Sequence, residues 1–416
     1  MHPNNFTKIF LLALFVKSLI ESYLDRRNLK HIIANQNIVP DKFKSTIELV
    51  EHQKSAEYAI AKIKTAQVFH FINLIVFLFF TVGGGIELLT RLSFSFQASE
   101  KESGLIFFGL LGLVSSILSL PESIYYTFIL EEKFGFNKTT WKTFIVDMIK
   151  GALLALILGT PIIYGILSIM EHLGQLWWLY AFSFLTIVQL IIVFIYPILI
   201  APIFNKFTEL PEGEIKNRIL SLLDRVGFTA QGLFIMDASK RSGHGNAYFT
   251  GFGKNKRIVF FDTLINTLDA EEVESVLAHE LGHMKKKHIL KSMIKSFILS
   301  FIGFYILSVL KDNVMFMAGH GITTITNANT ITLFSMVAGI YTFLLTPISA
   351  WFSRKNEYEA DEFAAQNASA KRLISALIKM YKDNKSFINP DPLYTKFYYS
   401  HPEALERVRF LETFDS

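Results

Sequence analysis

The chain has 416 residues, 51% of them hydrophobic and 40 of them Phe, with 19% charged residues and a formal charge of +5 at neutral pH. Composition this apolar excludes a disordered chain and argues against an ordinary soluble enzyme, and so small and dispersed a charge argues against a nucleic-acid binder. With no cysteine, disulfides, cysteine nucleophiles and thiolate metal sites are excluded, so a metal here needs His, Asp or Glu.

Apolar runs of about 20 residues, the length that crosses a bilayer core, predict seven spans near 6–24, 68–89, 104–130, 151–170, 177–200, 292–310 and 330–352. The first run lacks a small-residue cleavage site and is followed by Asp25, Arg26 and Arg27, so it reads as a span rather than a signal peptide. Within it Lys17 and Glu21 stand four apart, placed to pair. His70, Glu87 and Glu122 are polar groups within later spans and are expected to face an interior cavity. The segments 25–67, 131–150, 201–291 and 353–416 hold 35 of the 41 Lys and Arg. By the positive-inside tendency that side is cytoplasmic and the N-terminus is outside or lumenal. The membrane is the plasma membrane for a bacterial source and the endoplasmic reticulum for a eukaryotic one.

Three segments on the basic side, 25–67, 201–291 and 353–416, are long enough to build one domain together. The middle one predicts a helix over 212–226, then strands at 233–236, 247–252 and 257–261, with turns at Gly243, Gly245, Gly251 and Gly253. His244 reads as a turn residue. The expected organisation is five membrane helices in 1–200, a polar domain of mixed structure in 201–291, two more membrane helices in 292–352 and a C-terminal polar part, 353–416, on the same side as that domain.

After the strands, Asp269 with Glu272 three residues on forms a capping box, and the helix it opens carries His279, Glu280 and His283, an HExxH motif. Two His four apart project from one helix face and reach a single tetrahedral zinc. Glu280, about 100° further round, is placed to act on a metal-bound water without being a ligand. A third ligand is expected from the tract 353–361, where Glu357 and Asp361 share a face. Glu357 is assigned as ligand and Asp361 as acceptor for the outer N–H of a zinc His. Glu359 and Glu362 read as an exposed acidic face. His288, nine residues after His279, points about 180° away and is not a ligand, and Lys285 to Lys287 read as contacts to lipid headgroups.

The HELGH helix, the later SRxxEYxAD tract, SKRSGHGNAYFTGFGKNKRIVFFDTL at 239–264, EEKFGFNKTT at 131–140 and YSHPEALER at 399–407 together resemble the type I CAAX prenyl endopeptidases, integral-membrane zinc proteases of the gluzincin type. The resemblance implies that His279, His283 and Glu357 hold one zinc per chain while Glu280 activates its water. It implies an edge strand at Asn246, Ala247, Tyr248 and Phe249 that takes the substrate backbone by strand addition. It places His401 and Arg407 near the scissile carbonyl and the substrate terminus. From the residues alone, His401 reads equally as a helix-start His before Pro402. The family also implies a mainly α fold, a seven-helix transmembrane bundle enclosing a chamber, with a small cytoplasmic α+β zinc metalloprotease domain. One departure is Asn205, where the family often has Asp, expected to matter only for local packing.

The function so implied is endoproteolysis near the C-terminus of prenylated CAAX-type peptides, releasing the last three residues. The partners are then a peptide or protein substrate and membrane lipids, with no nucleic acid; the oligomeric state is not specified. Two rivals stay open: a lipid-independent membrane quality-control metalloprotease, and a helical transporter or scaffold with a non-catalytic metal site. An intact Glu280 speaks against the second, since a structural site has no use for a general base.

Overall fold

The computed structural model describes residues 4–250 and 256–414. Its first half is helical: α1 Asn5–Asn35, α2 Leu49–Thr81, α3 Gly85–Phe94, α4 Glu100–Glu131, α5 Trp141–His172 and α6 Gly174–Phe204. A small sheet with its own helices intervenes before α9, His288–Leu310, and the bent pair α10 Asn327–Tyr341 and α11 Phe343–Asn367. Among the described residues, α2, α4, α5, α6 and α9 are each long and apolar enough to cross a membrane, and α10 with α11, bent by 49°, adds a sixth candidate. Lys8, Lys17 and Glu21 keep α1 out of that set, although it packs against α2 and α10.

Most of these helices run well past the apolar stretch that marks them in the sequence. Helix α2 begins at Leu49 with a capping box from Glu48 and Glu51, so its first turns are polar. The predicted span 68–89 is corrected at its far end: α2 stops at Thr81 and α3 restarts at Gly85. Gly84 sits at φ +83°, in the left-handed region, and a Cβ on Gly83 would lie 2.8 Å from the Phe79 carbonyl oxygen. Glu87 therefore belongs to α3 and not to a span. Its carboxylate accepts from the N–H and hydroxyl of both Thr323 and Thr324, at 2.8–3.0 Å, and from Arg91. Other polar groups of the long helices also meet one another: Lys17 binds Glu21 at 2.7 Å, His70 stands 3.8 Å from Glu21, and Asn73 donates to Glu122.

Three of the long helices contain a π turn, at Tyr126–Glu131 in α4, Ala155–Gly159 in α5 and Tyr196–Ile200 in α6. The first and last lie where α4 and α6 meet the protease part. Glu131 accepts from Tyr58 at 2.6 Å, and α6 leads directly into the sheet.

The sheet has four strands, β1 Phe207–Glu209, β2 Gly232–Met236, β3 Ala247–Thr250 and β4 Arg257–Phe261, in the order β1-β2-β4-β3. Strands β2 and β4 run parallel, and the outer two pair antiparallel. β1 was not expected from the sequence; the end of the expected strand 247–252 and the expected turn residues Gly251 and Gly253 lie among residues 251–255, outside the described residues. Helix α7, Glu214–Arg225, connects β1 to β2. Helix α8, Ala270–Lys285, comes after β4 and a short helical turn. Both lay apolar stripes on one sheet face: Ile219 and Leu222 from α7, Val273, Leu277 and Leu281 from α8, against Ile258 and Phe260. The chain ends with α12 Ala370–Asp383, α13 Pro392–Tyr398 and α14 Ala404–Glu412. Phe43 and Ile47, between α1 and α2, pack with Ile378, Ile388 and Val408, so the three polar segments share one body.

Candidate metalloprotease active site

Helix α8 begins as its residues dictate. The Asp269 side chain accepts from the N–H groups of Glu271 and Glu272, and Glu272 reaches back to the Asp269 N–H. Glu272 is fully buried and binds Ser375 and Lys379 on α12, which fixes the helix against the C-terminal part. With Leu277 and Leu281 turned to the sheet, His279 and His283 emerge on another face, toward α11.

The two helices touch at Gly282. A Cβ there would lie 2.8 Å from the Ala360 Cα and 3.1 Å from its carbonyl oxygen, so only glycine permits this approach. The close contact sets Glu357 on α11 opposite the two His. His279 Nε2 stands 3.2 Å from His283 Nε2 and 3.4 Å from Glu357 Oε2, and His283 Nε2 stands 3.3 Å from Glu357 Oε1. Ligand atoms about 2.0–2.1 Å from a tetrahedral zinc stand about 3.3 Å from one another, so the three donors fit one set of ligands around that metal. The donor chemistry, two imidazoles and a carboxylate, agrees. Glu357 Oε2 is moreover buried without a hydrogen-bond partner, an atom that a cation would satisfy.

The metal face is supported from behind. Asp361 Oδ1 meets His279 Nδ1 at 2.7 Å. Arg407, buried on α14, clamps the same carboxylate with Nε at 2.9 Å and a terminal nitrogen at 2.6 Å. Arg407 also lies 4.0 Å from Glu357. Burial pushes the Glu280 carboxyl above its usual range against the opposing pull of His279 and His283. His401 Nε2 stands 3.5 Å from Glu357 Oε1, and its side chain is otherwise open. β3 is an edge strand packed near α8, with Asn246 just before it and Ala247, Tyr248 and Phe249 in it.

Two expectations are corrected. His288 does not point away from the site: its Nδ1 lies 3.0 Å from His283 Nδ1. The 100° step no longer applies because α8 ends at Lys285 and Lys287 takes a left-handed conformation before α9 begins. Glu359, read as part of an exposed acidic face, lies 3.0 Å from His288 Nε2. Sequence reasoning also missed Arg354, which donates to the carbonyls of Thr395, Lys396 and Tyr399 at the end of α13 and so holds the turn that presents His401. Asp391 caps the start of that helix while bound by Arg27 of α1. Arg354 was visible as a charge in the SR pair, but no local rule reveals a partner 41 residues away.

The remaining motifs converge on the approach to β3. The Lys138 N–H donates to the Arg241 carbonyl, the His244 ring stacks on Phe136 at 4.0 Å, and Arg241 binds Asp147 and Asn205. Asn205 is thus a hydrogen-bond partner of the loop that leads to the edge strand.

Apolar helices long enough to span a bilayer, joined to a site of two His on an HExxH helix and one Glu from the helix packed against it, define a membrane zinc metalloprotease. Residues 28–206 match the model for the CAAX prenyl protease N-terminal region of five membrane helices, and residues 209–415 match that for peptidase family M48. The chain belongs to the CAAX prenyl protease 1 family of M48 peptidases, and it is a multi-pass integral membrane protein with its metal site at His279, His283 and Glu357. It is 36% identical to CAAX prenyl protease 1 of Saccharomyces cerevisiae over 99% of this chain and 96% of that one. It is also 36% identical to the CAAX prenyl protease 1 homolog of Arabidopsis thaliana, over 97% and 96% of the two chains. The crystal structure of S. mikatae Ste24p superposes with a TM-score of 0.90 at 35% identity, covering 98% of this chain and 99% of that one. Family and site together set aside the transporter or scaffold reading.

Proposed function

We propose that this chain is an endopeptidase that removes the last three residues of prenylated CAAX-type peptides at the cytoplasmic side of its membrane. The observation that carries the reading is the triad of His279, His283 and Glu357 beside the edge strand β3, in a chain whose relatives bear the CAAX prenyl protease name. A single zinc held there lowers the pKa of a water and polarises the scissile carbonyl.

Each protein group then has a task. Glu280 takes the proton of the attacking water and returns it to the leaving amine. His401, open toward the site, donates to the carbonyl oxygen as charge develops on it. Arg407 acts through Asp361, which holds the outer nitrogen of His279. The substrate backbone extends the sheet along Asn246, Ala247, Tyr248 and Phe249, and the free edge of β3 supports that mode. Counting α1, the seven helices enclose a chamber; the paired polar groups Lys17, Glu21, His70, Asn73 and Glu122 support an interior they share. The excess of Lys and Arg on the protease side supports a cytoplasmic site. A eukaryotic source, in line with the Saccharomyces cerevisiae and Arabidopsis thaliana relatives, makes the membrane that of the endoplasmic reticulum.

The test is cleavage of a farnesylated CAAX peptide and its bare twin by the detergent-solubilised protein, with Glu280→Gln as control. Cleavage of the farnesylated peptide alone supports the proposal. Equal cleavage of both keeps the zinc chemistry and moves the function to lipid-independent membrane proteolysis.

A further inference from the structure

Lys287 carries φ +59° and ψ 33°, the left-handed conformation, at the junction of the metal helix α8 and the membrane helix α9. A residue with a Cβ is held there at a cost of about 1–2 kcal/mol, which the surroundings must outweigh. The turn does one thing that a straight continuation of α8 would not. It folds His288, the first residue of α9, back against His283, with the two rings edge to face at 5.1 Å between centroids.

The protons in this contact are set by the partners. His283 faces the metal position with Nε2, so its Nδ1 keeps the hydrogen. That N–H donates to His288 Nδ1 at 3.0 Å, which must then be the unprotonated nitrogen of a neutral ring. The remaining His288 N–H, on Nε2, donates to Glu359 Oε2 at 3.0 Å. His288 is almost fully buried, at 3% exposure. Glu359 stands two residues from the ligand Glu357 on the same helix, so α11 supplies both a metal ligand and the end of this chain of hydrogen bonds.

We infer that His288 and Glu359 form a relay that orients His283 for the metal and ties that ligand to the cytoplasmic end of a membrane helix. It does for His283 what Asp361 does for His279, with a second imidazole between ligand and carboxylate. Both are positioning residues, since neither faces the metal or the substrate. A further consequence is mechanical: rotation or withdrawal of the first turn of α9 breaks the hydrogen bond of His283. The inference rests on the zinc site already described, and zinc binding by the wild-type protein checks that site separately.

The experiment uses the full-length protein in detergent with three variants, His288→Leu, His288→Gln and Glu359→Leu. Zinc affinity is read by competition with a chromophoric chelator, and ligand geometry by the visible spectrum of the cobalt-substituted protein. Leucine cannot accept from His283, and His288→Leu is expected to weaken zinc binding by about 10 to 100-fold and to shift the cobalt bands. Glutamine offers an acceptor oxygen and a donor nitrogen on one amide, so His288→Gln recovers much of that loss. Glu359 is partly exposed, so Glu359→Leu, which removes the acceptor, carries the test even if His288→Leu fails to fold, and it too is expected to weaken zinc binding. Wild-type affinity and an unshifted spectrum in Glu359→Leu, or equal losses for the Leu and Gln variants at 288, overturn the relay.

Discussion

Arg407 offers the sharpest test of how the site is held. Its guanidinium and the Asp361 carboxylate are both buried, joined by two hydrogen bonds of 2.9 and 2.6 Å, and Asp361 has one other partner, His279 at 2.7 Å. Replacing Arg407 with Met removes the positive charge and leaves the carboxylate buried beside Glu357. Breaking one side of such a pair costs about 3–5 kcal/mol. The same change loosens the support of His279 and is expected to weaken zinc binding about 10 to 100-fold. Removing both charges, Arg407→Met with Asp361→Leu, restores much of the stability because no unpaired charge remains, yet zinc affinity stays low because His279 has lost its acceptor. Thermal unfolding in detergent, with and without chelator, and chelator competition read the two effects separately. If Arg407→Met instead raises KM for the peptide while stability and zinc affinity match wild type, Arg407 works on the substrate and the account through Asp361 is wrong.

Glu280→Gln keeps the zinc, since Glu280 is not one of the three ligands, and lowers kcat by about 10²–10⁴-fold; metal analysis alongside turnover checks it, and lost zinc would count against the assignment. Gly282→Ala drives a methyl into the Ala360 backbone and is expected to destabilise by about 1–3 kcal/mol and to weaken zinc binding by parting α8 from α11, read by unfolding and chelator competition. At Glu87 burial pushes the carboxyl up, but the donors from Thr324 and Thr323, with Arg91, overcome it and hold it at about 2. A depressed carboxyl contributes stability that is fully present above its usual value of 4.5 and is lost as pH falls toward 2. The shift corresponds to about 3 kcal/mol, so acid melting curves of wild type and Glu87→Gln should converge over that window; parallel curves would refute the charge account.

What could be read from the residues was what depends on near neighbours. The start of α8 at Asp269 and Glu272 is a local exchange of hydrogen bonds, and the i, i+4 spacing of His279 with His283 and of Glu357 with Asp361 comes from helix period alone. Apolar windows located the long helices but not their ends, because polar turns such as the start of α2 continue a helix outside any bilayer-length window. The break after Thr81 was legible in principle from Gly83, Gly84 and Gly85 in a row. His288 and Glu359 were misread for a different reason. Their contact depends on one left-handed lysine, and lysine carries no signal for that conformation. β1 is three residues long, too short for any periodicity, and Arg354 and Arg27 find partners that only the tertiary fold brings near.

The π turns in α4, α5 and α6 bear on how such a chain can change length. Each holds one residue more than an α turn of the same rise would, so losing that residue returns the helix to regular winding with the chain beyond it in place, whereas a deletion in the α turns beside it rotates the chain beyond by about 100°. In α5 the chain beyond the turn is more helix and a short connection, so a single-residue deletion within 155–159 alters only which side chains meet neighbouring helices. In the regular turns of α6 beside 196–200, by contrast, a deletion would swing the entry to β1 and strand Arg241 away from Asn205. In the regular turns of α4 before 126 it would turn Glu131 away from Tyr58. Single-residue insertions and deletions in related chains should accordingly fall within these three turns and be rare in the regular turns of α4 and α6 beside them.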